Sequence, residues 1–239
     1  MKRSSLLAHA LAFLAAAVAA PAACQPLLTA ADLVAMEAPP PDHVIAYGPG
    51  PLQFGHLRLP AGDGPFPVVV FVHGGCWLSS YGIGHVGLLE EAWAEAGYAV
   101  WSLEYRRVGD EGGGWPGTYL DVAAGADHLR TLAATFPLDL GRVVASGHSA
   151  GGAFALWLVA RDRIPRESEL WRSDPLRVHG VLALAPAPDL EGLHAAGVCG
   201  NVIDQLMGAG GPHLVSECPG RGSARGRAAG STLSRATSR

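Results

Sequence analysis

A serine framed by two glycines, in the run Gly147-His148-Ser149-Ala150-Gly151, separates an apolar β-type segment from small residues that favour a helix. The pattern is typical of a nucleophile elbow, where a strand turns sharply into a helix at a strained serine. A Cβ at either flanking glycine would collide with a neighbouring strand or helix. The motif therefore predicts a strand–turn–helix unit with an exposed Ser149 hydroxyl, although a glycine-rich helix start is a common alternative.

A second motif lies upstream, where the apolar run at residues 68–72 opens into His73-Gly74-Gly75-Cys76-Trp77. The run is typical of a buried parallel strand, and a turn with few side chains lets main-chain amides approach a ligand closely. Acyl transfer to a serine requires such donors, because a negatively charged oxygen forms at the attacked carbonyl. We expect the amides of Gly75, Cys76 and Ala150 to form this oxyanion hole.

The imidazole of His73 has two interpretations. It could act as the catalytic base, or it could brace the turn through hydrogen bonds. The second is favoured, because the triad of a strand–turn–helix hydrolase follows the order serine, acid, histidine along the chain. We assign a structural role in the two turns to His73, Gly74, Gly147 and Gly151.

With these motifs, residues 44–208 resemble the α/β-hydrolase superfamily, in the esterase branch that carries His-Gly-Gly-x-Trp and Gly-His-Ser-Ala-Gly-Gly. The segments 101–107 and 112–117 are similar to those of bacterial kynurenine formamidase-like, feruloyl-esterase-like and prolyl-oligopeptidase-like hydrolases. The resemblance implies a serine hydrolase that cleaves a carboxylic ester through an acyl-enzyme on Ser149. A formamidase and a prolyl-oligopeptidase-like peptidase are the alternatives, and no cofactor or metal ion is implied.

The order of apolar runs predicts an α/β domain over residues 38–208, with a mostly parallel central sheet and helices on both faces. Ligands of such sheets bind at the carboxyl ends of the strands, where both motifs fall. The predicted strands cover residues 44–47, 52–59, 67–72, 98–103, 142–146 and 178–184, and the predicted helices cover residues 88–96, 118–136 and 198–207.

The composition fits one globular domain with a sizeable core. Of the 239 residues, 49% are hydrophobic, and the formal net charge is −4. This balance gives no indication of a nucleic-acid partner, so the expected partner is a small ester or amide substrate.

The first residues predict a secretory signal peptide over residues 1–23, since a basic start precedes an apolar stretch and a small-residue end. The stretch is too short to span a bilayer, and the sequence contains no other candidate span. We therefore expect a secreted or periplasmic protein. Cys24 offers a lipid anchor as the less favoured alternative, because Pro21 fits a lipoprotein cleavage site poorly.

Three cysteines remain after Cys24, namely Cys76, Cys199 and Cys218. In an oxidising compartment a bridge between Cys76 and Cys199 is possible, because both are expected near the substrate face. Two buried thiols are equally compatible with the sequence.

Several other residues have two interpretations each. Trp77 and Tyr105 follow strand ends, where aromatic side chains either line a pocket or pack against the core. Asp121 is expected to stabilise a helix start rather than to orient a base. Arg106 and Arg107 favour surface ion pairs over recognition of a substrate carboxylate.

The acid and the base of a triad are not recognisable downstream of Ser149. Asp189 follows a strand end, and His194 and His213 lie in irregular segments on the expected side of the sheet. A triad of Ser149, Asp189 and one of these histidines is conceivable. It carries little weight, because a nucleophile and its base must be held closely together.

The last residues differ in character from the rest. Residues 219–239 hold five arginines, no acidic residue and a single large apolar side chain. We expect residues 211–239 to be disordered, because they bury too little surface to offset their ordering entropy. The resemblance implies two further strands, which this sequence lacks. A frameshifted or truncated hydrolase explains this better than a natural extension, and a non-catalytic fragment is the corresponding alternative function.

Overall fold

The computed structural model describes residues 36–208 of the chain. The predicted signal peptide, Cys24, His213, Cys218 and the predicted tail at residues 211–239 lie outside these residues.

The described residues form one six-stranded sheet. Its spatial order is β1-β2-β4-β3-β5-β6, with β1 and β2 antiparallel to their neighbours and the other pairs parallel. The predicted mostly parallel sheet is therefore confirmed. The strands are β1 (His43–Ala46), β2 (Phe54–Arg58), β3 (Phe66–Val72), β4 (Ala99–Leu103), β5 (Leu138–His148) and β6 (Gly180–Leu184).

Six α-helices and two short 3₁₀ helices connect the strands in this part of the chain. The helices are α1 (Gly87–Glu95), α2 (Gly117–Asp127), α3 (Leu129–Leu132), α4 (Ala150–Val159), α5 (Leu190–Ala195) and α6 (Val202–Met207), with 3₁₀ helices at Ile83–His85 and Arg161–Arg163.

Two helix predictions need correction. The predicted helix over residues 118–136 divides at His128 into α2 and α3. The predicted helix over residues 198–207 begins only at Val202, because Cys199 and Gly200 have φ values of 60° and 67°, outside the right-handed helical region. Helix α5 was not predicted.

The helices cover both faces of the sheet, as expected from the alternation of strands and helices. Val70 and Trp101 face α2 and α4 within the larger hydrophobic cluster. Phe71 and Val100 point the other way, towards α1, in a second cluster. Alternate residues of a strand face opposite sides, so a fully apolar strand such as β3 can bury both of its faces.

The sheet topology places the two motifs side by side. Strands β3 and β5 are parallel neighbours, and Val72 at the end of β3 is paired with Gly147 at the end of β5. The turn at His73 and the elbow at Ser149 therefore leave the same edge of the sheet.

Strand β6 forms one edge of the sheet within residues 36–208. Its side chains Val181 and Leu182 are 38% and 49% exposed. Both apolar side chains therefore lie at the edge of the sheet that residues 36–208 form.

Replacement of Val70 tests the packing of the central strand. Val70 is fully buried in β3, so Val70→Ala should lower the free energy of unfolding by about 2 kcal/mol. The matched control is Val44→Ala on edge strand β1, where the side chain is 62% exposed and the expected loss is under about 0.5 kcal/mol. Denaturant unfolding monitored by tryptophan fluorescence measures both, and equal losses would contradict this core.

Candidate active site

Ser149 adopts the strained backbone expected of an elbow. Its φ and ψ are 54° and −117°, between the last residue of β5 and the first residue of α4. Its amide donates a hydrogen bond of 2.9 Å to the Leu184 carbonyl, which ties the elbow to the end of β6. A non-glycine residue at positive φ costs free energy and is commonly kept at functional sites.

The glycines on either side of Ser149 are required by close backbone contacts. A Cβ on Gly147 would lie 2.3 Å from the Gly151 carbonyl oxygen, and a Cβ on Gly151 would lie 1.9 Å from that of Val72. Both distances are far shorter than any non-bonded contact between a Cβ atom and an oxygen atom. The predicted steric reason for the two glycines is therefore confirmed.

The His73 turn packs directly against the elbow. A Cβ built on Gly74 would lie 2.7 Å from the His148 carbonyl oxygen and 3.4 Å from Cβ of Ser149. The next three residues have positive φ values, 119° at Gly75, 51° at Cys76 and 57° at Trp77. The turn thus begins in contact with the elbow at Gly74 and continues through three residues of positive φ.

Ala150 supplies the third candidate amide of the oxyanion hole. It is the first residue of α4 and is buried. The first amides of a helix have no partner within the helix, so they are available to a bound anion. The Ala150 amide therefore lies at the start of α4, directly after Ser149.

His73 braces its turn. Its side chain is buried, with Nδ1 at 2.7 Å from the Gly74 carbonyl oxygen and Nε2 at 3.0 Å from Oε1 of Glu104. Both ring nitrogens are engaged in these contacts. These contacts are the ones expected of a histidine that braces the turn.

Glu104 is a site residue that the sequence analysis did not single out. The amides of Ile83 and Tyr105 donate to its carboxylate at 3.0 and 2.9 Å. Burial alone would raise the pKa of Glu104, but hydrogen bonding and charge from His73, together with these two amides, hold it below its usual value. Its position directly after β4, at the carboxyl end of a central strand, was the available signal.

Trp77 and Tyr105 pack in the core. They are 1% and 0% exposed. The Tyr105 hydroxyl donates a 3.0 Å hydrogen bond to the His73 carbonyl, and its ring stacks on the His73 ring at 4.4 Å. Burial raises the pKa of the Tyr105 phenol. Tyr105 therefore supports the oxyanion turn from behind.

The expectations for Asp121 and Arg107 were wrong. Asp121 lies inside α2, buried, and accepts hydrogen bonds from the backbone amide and the guanidinium of Arg106. Arg107 is 5% exposed and lies 3.1 Å from Glu104 and 3.0 Å from Asp110. These ion pairs hold the segment after β4 in place. Glu104 and Tyr105 of that segment contact the His73 turn, so the ion pairs stabilise the turn indirectly.

The structure does not bring the predicted acid and base to Ser149. Within residues 36–208, the Ser149 hydroxyl has no hydrogen-bond partner. Asp189 caps α5, where its side chain accepts from the Gly192 amide at 3.1 Å. The acid beside His194 is Asp204, at 3.4 Å, and both side chains are at least half exposed. His213 lies outside the described residues.

A disulfide joins Cys76 of the oxyanion turn to Cys199, between α5 and α6, with their Cα atoms 5.7 Å apart. Of the two alternatives that the sequence left open, the bridge is therefore the one formed. It fastens the segment that carries α5 and α6 to the residue whose amide is a candidate oxyanion donor.

A cavity of about 520 Å³ lies away from this site. It is lined by Leu158 and Val159 at the end of α4 opposite Ser149, and by residues 174–178. The described residues contain no group of histidine, cysteine and acidic side chains suited to a metal ion. None of the helices within residues 36–208 has the length and apolar character needed to cross a membrane.

Gly151→Ala tests the contact between α4 and β3. The new methyl group would overlap the Val72 carbonyl oxygen, so we expect a loss of about 3 kcal/mol in the free energy of unfolding. In the control Gly84→Ala, the added Cβ meets no atom within 4 Å, and stability should be nearly unchanged. Equal stability of the two variants in denaturant unfolding would argue against this packing.

Reduction of the disulfide tests the clamp on the turn. The bridge spans 123 residues, so its loss should lower the free energy of unfolding by about 4–5 kcal/mol. The double variant Cys76→Ala, Cys199→Ala should show no further loss when reductant is added. If reductant left the unmodified protein's unfolding curve unchanged, the bridge would not contribute to stability.

Comparison with known proteins identifies the family. The BD-FAE family model matches residues 57–198, which is more than half of the 239 residues. No curated protein matches the sequence.

Several solved structures share the fold. Esterase B from Lactobacillus rhamnosis, inhibited by a tributyrin phosphonate, has a TM-score of 0.62 at 22% identity, covering 88% of this chain and 67% of its own. The bifunctional GH43-CE protein from Bacteroides eggerthii has a TM-score of 0.58 at 22% identity, covering 72% and 27%. The propionate-bound esterase Est2 from Thermogutta terrifontis has a TM-score of 0.50 at 23% identity, covering 60% and 54%.

The chain thus spans about a quarter of the length of the Bacteroides protein and about half of the length of the Thermogutta esterase. At these identities the structures establish the fold, and the family model establishes the lineage. The chain belongs to the BD-FAE family and has the α/β-hydrolase fold.

Proposed function

We propose that this protein is a serine esterase in which Ser149 attacks the carbonyl carbon of a carboxylic ester. The observation that carries the proposal is the strained Ser149 backbone, at φ 54°, held against a turn of left-handed residues. In this proposal the amides of Gly75, Cys76 and Ala150 donate hydrogen bonds to the carbonyl oxygen as it becomes negatively charged. Pre-oriented amides of this kind are among the strongest contributors to acyl-transfer catalysis.

The reaction would proceed in two halves. The Ser149 oxygen bonds to the carbonyl carbon while its proton passes to a base, and the ester's alcohol then leaves with that proton. Water attacks the resulting acyl-enzyme and releases the acid. Asp189 and then His194 or His213 follow Ser149 along the chain, in the order that this fold uses for its acid and its base.

The proposed substrates are esters with short acyl groups. The Thermogutta esterase was solved with propionate, and the Lactobacillus esterase with a tributyrin phosphonate. Both ligands carry acyl chains of only a few carbons. Formamides and amides are the nearby alternative, since the same oxyanion hole serves both reactions.

We also propose that the protein is exported to an oxidising compartment. The disulfide between Cys76 and Cys199 supports this proposal, because such bridges persist mainly outside the reducing cytosol. The basic and apolar start of the sequence is consistent with it.

A second candidate is a hydrolase-like protein without catalysis. It is favoured by one observation, namely that no imidazole within residues 36–208 reaches the Ser149 hydroxyl. A serine without a base is a poor nucleophile, so this candidate predicts a correctly folded but unreactive elbow.

Ser149→Ala distinguishes the two candidates. With p-nitrophenyl acetate as substrate, the unmodified protein should turn over, and the variant should lose about 10³-fold or more in rate. A fluorophosphonate probe should label only the unmodified protein. The matched control is Ser80→Ala, which removes an exposed serine hydroxyl shortly after the oxyanion turn and should leave both results unchanged.

Two results would contradict the proposal. Equal turnover by the unmodified protein and Ser149→Ala would remove the serine mechanism. A folded, disulfide-bonded protein that neither turns over the ester nor reacts with the probe would establish the non-catalytic candidate.

A further inference from the structure

The two ring nitrogens of His73 both face atoms that can only accept a hydrogen bond. Nδ1 lies 2.7 Å from the Gly74 carbonyl oxygen, and Nε2 lies 3.0 Å from Oε1 of Glu104. A neutral imidazole has one N–H and one bare nitrogen. In a neutral ring, one unprotonated nitrogen would therefore face an oxygen lone pair with no hydrogen between them. A ring protonated on both nitrogens can donate a hydrogen bond to each oxygen.

The carboxyl of Glu104 is surrounded by hydrogen-bond donors, which favour its ionised form over its protonated form. Oε1 accepts from the Tyr105 amide at 2.9 Å and lies 3.1 Å from Arg107, while Oε2 accepts from the Ile83 amide at 3.0 Å. A carboxylate with this many donors is stable in its ionised form. The proton shared between Glu104 and His73 thus belongs on the imidazole.

A proton on His73 would balance the charges around this pair. Arg107 contacts both Glu104 and Asp110, so a protonated His73 would make two positive and two negative groups. Buried ions are tolerated when they are paired and fully hydrogen-bonded. The ring of His73 also stacks on Tyr105, an arrangement that favours a cation over an aromatic face.

Two other histidines lie near this ring. His85 approaches it edge-on, with 5.9 Å between ring centroids. Burial, followed by the charge of His73, lowers the pKa of His85, and His148 has a smaller effect in the same direction. Among the described residues, neither His85 nor His148 forms a hydrogen bond with the Gly74 carbonyl or with Glu104.

The consequence lies in the Gly74–Gly75 peptide. The carbonyl of Gly74 and the N–H of Gly75 belong to one planar, conjugated group. A charged donor on the carbonyl oxygen draws electron density away from the nitrogen, so the N–H becomes a stronger donor. That N–H is one of the three amides assigned to the oxyanion hole.

We propose that His73 is a buried imidazolium, held by Glu104, that polarises the Gly74–Gly75 peptide and so strengthens the oxyanion hole. Its catalytic consequence rests on the proposed esterase function, whereas its protonation state does not. His73 is a positioning residue, because it acts on the reaction through the Gly75 amide and does not touch the substrate.

Nitrogen-15 NMR of the unmodified, histidine-labelled protein tests the protonation state directly. In neutral buffer the His73 ring should show two protonated nitrogens, because both of them face hydrogen-bond acceptors. Its signals are assigned by their absence in His73→Gln and their presence in His85→Gln. A His73 ring with one bare nitrogen would overturn the inference.

Glu104→Gln tests the effect on the oxyanion hole. The amide keeps the shape of the side chain and removes the counter-charge, so the ring should lose a proton and the Gly75 amide proton should move upfield. Labelling of Ser149 by a fluorophosphonate should slow by about tenfold or more. The control His85→Gln removes the neighbouring ring and should change neither the Gly75 resonance nor the labelling rate.

The two proposals fail separately in this experiment. If the unmodified protein is not labelled but its His73 ring is doubly protonated, the esterase function fails and the imidazolium stands. If labelling is fast and unchanged in Glu104→Gln, or if the ring is neutral, the inference about His73 fails and the esterase function stands.

Discussion

The close approach of helix α4 to strand β3 is the constraint on which the site depends. A Cβ on Gly151 of α4 would overlap the Val72 carbonyl oxygen of β3, and a Cβ on Gly147 of the neighbouring strand β5 would overlap the Gly151 carbonyl oxygen. This contact fixes where α4 can begin relative to the end of β3. Ser149 is consequently held at a strained φ, directly beside the His73 turn.

The turn itself is shaped from behind by buried polar groups. The His73 ring contacts the Gly74 carbonyl oxygen and the Glu104 carboxylate. The Tyr105 hydroxyl donates to the His73 carbonyl, and its ring stacks on the His73 ring. On its outer side, the disulfide from Cys76 attaches the turn to the segment between α5 and α6. Three consecutive left-handed residues are thus held by covalent and electrostatic contacts rather than by regular secondary structure.

Local patterns predicted the central sheet and the two turns, because apolar runs and paired glycines reflect short-range constraints. They did not predict the interior of the site. Glu104 meets His73 across 31 residues of sequence, and its position directly after β4 was the only signal of that contact. Cys199, between α5 and α6, has a positive φ, and a cysteine in the sequence gives no reason to predict one. Asp189 was a candidate acid by position, yet it caps a helix.

The central claim is that Ser149 and the amides of Gly75, Cys76 and Ala150 form one acyl-transfer site. A crystal structure of the protein after reaction with a short-chain phosphonate tests it most directly. The account predicts a covalent bond from phosphorus to the Ser149 oxygen, with the phosphonyl oxygen about 2.7–3.1 Å from those amides. A phosphonyl oxygen that points to solvent, or an adduct on another residue, would contradict it.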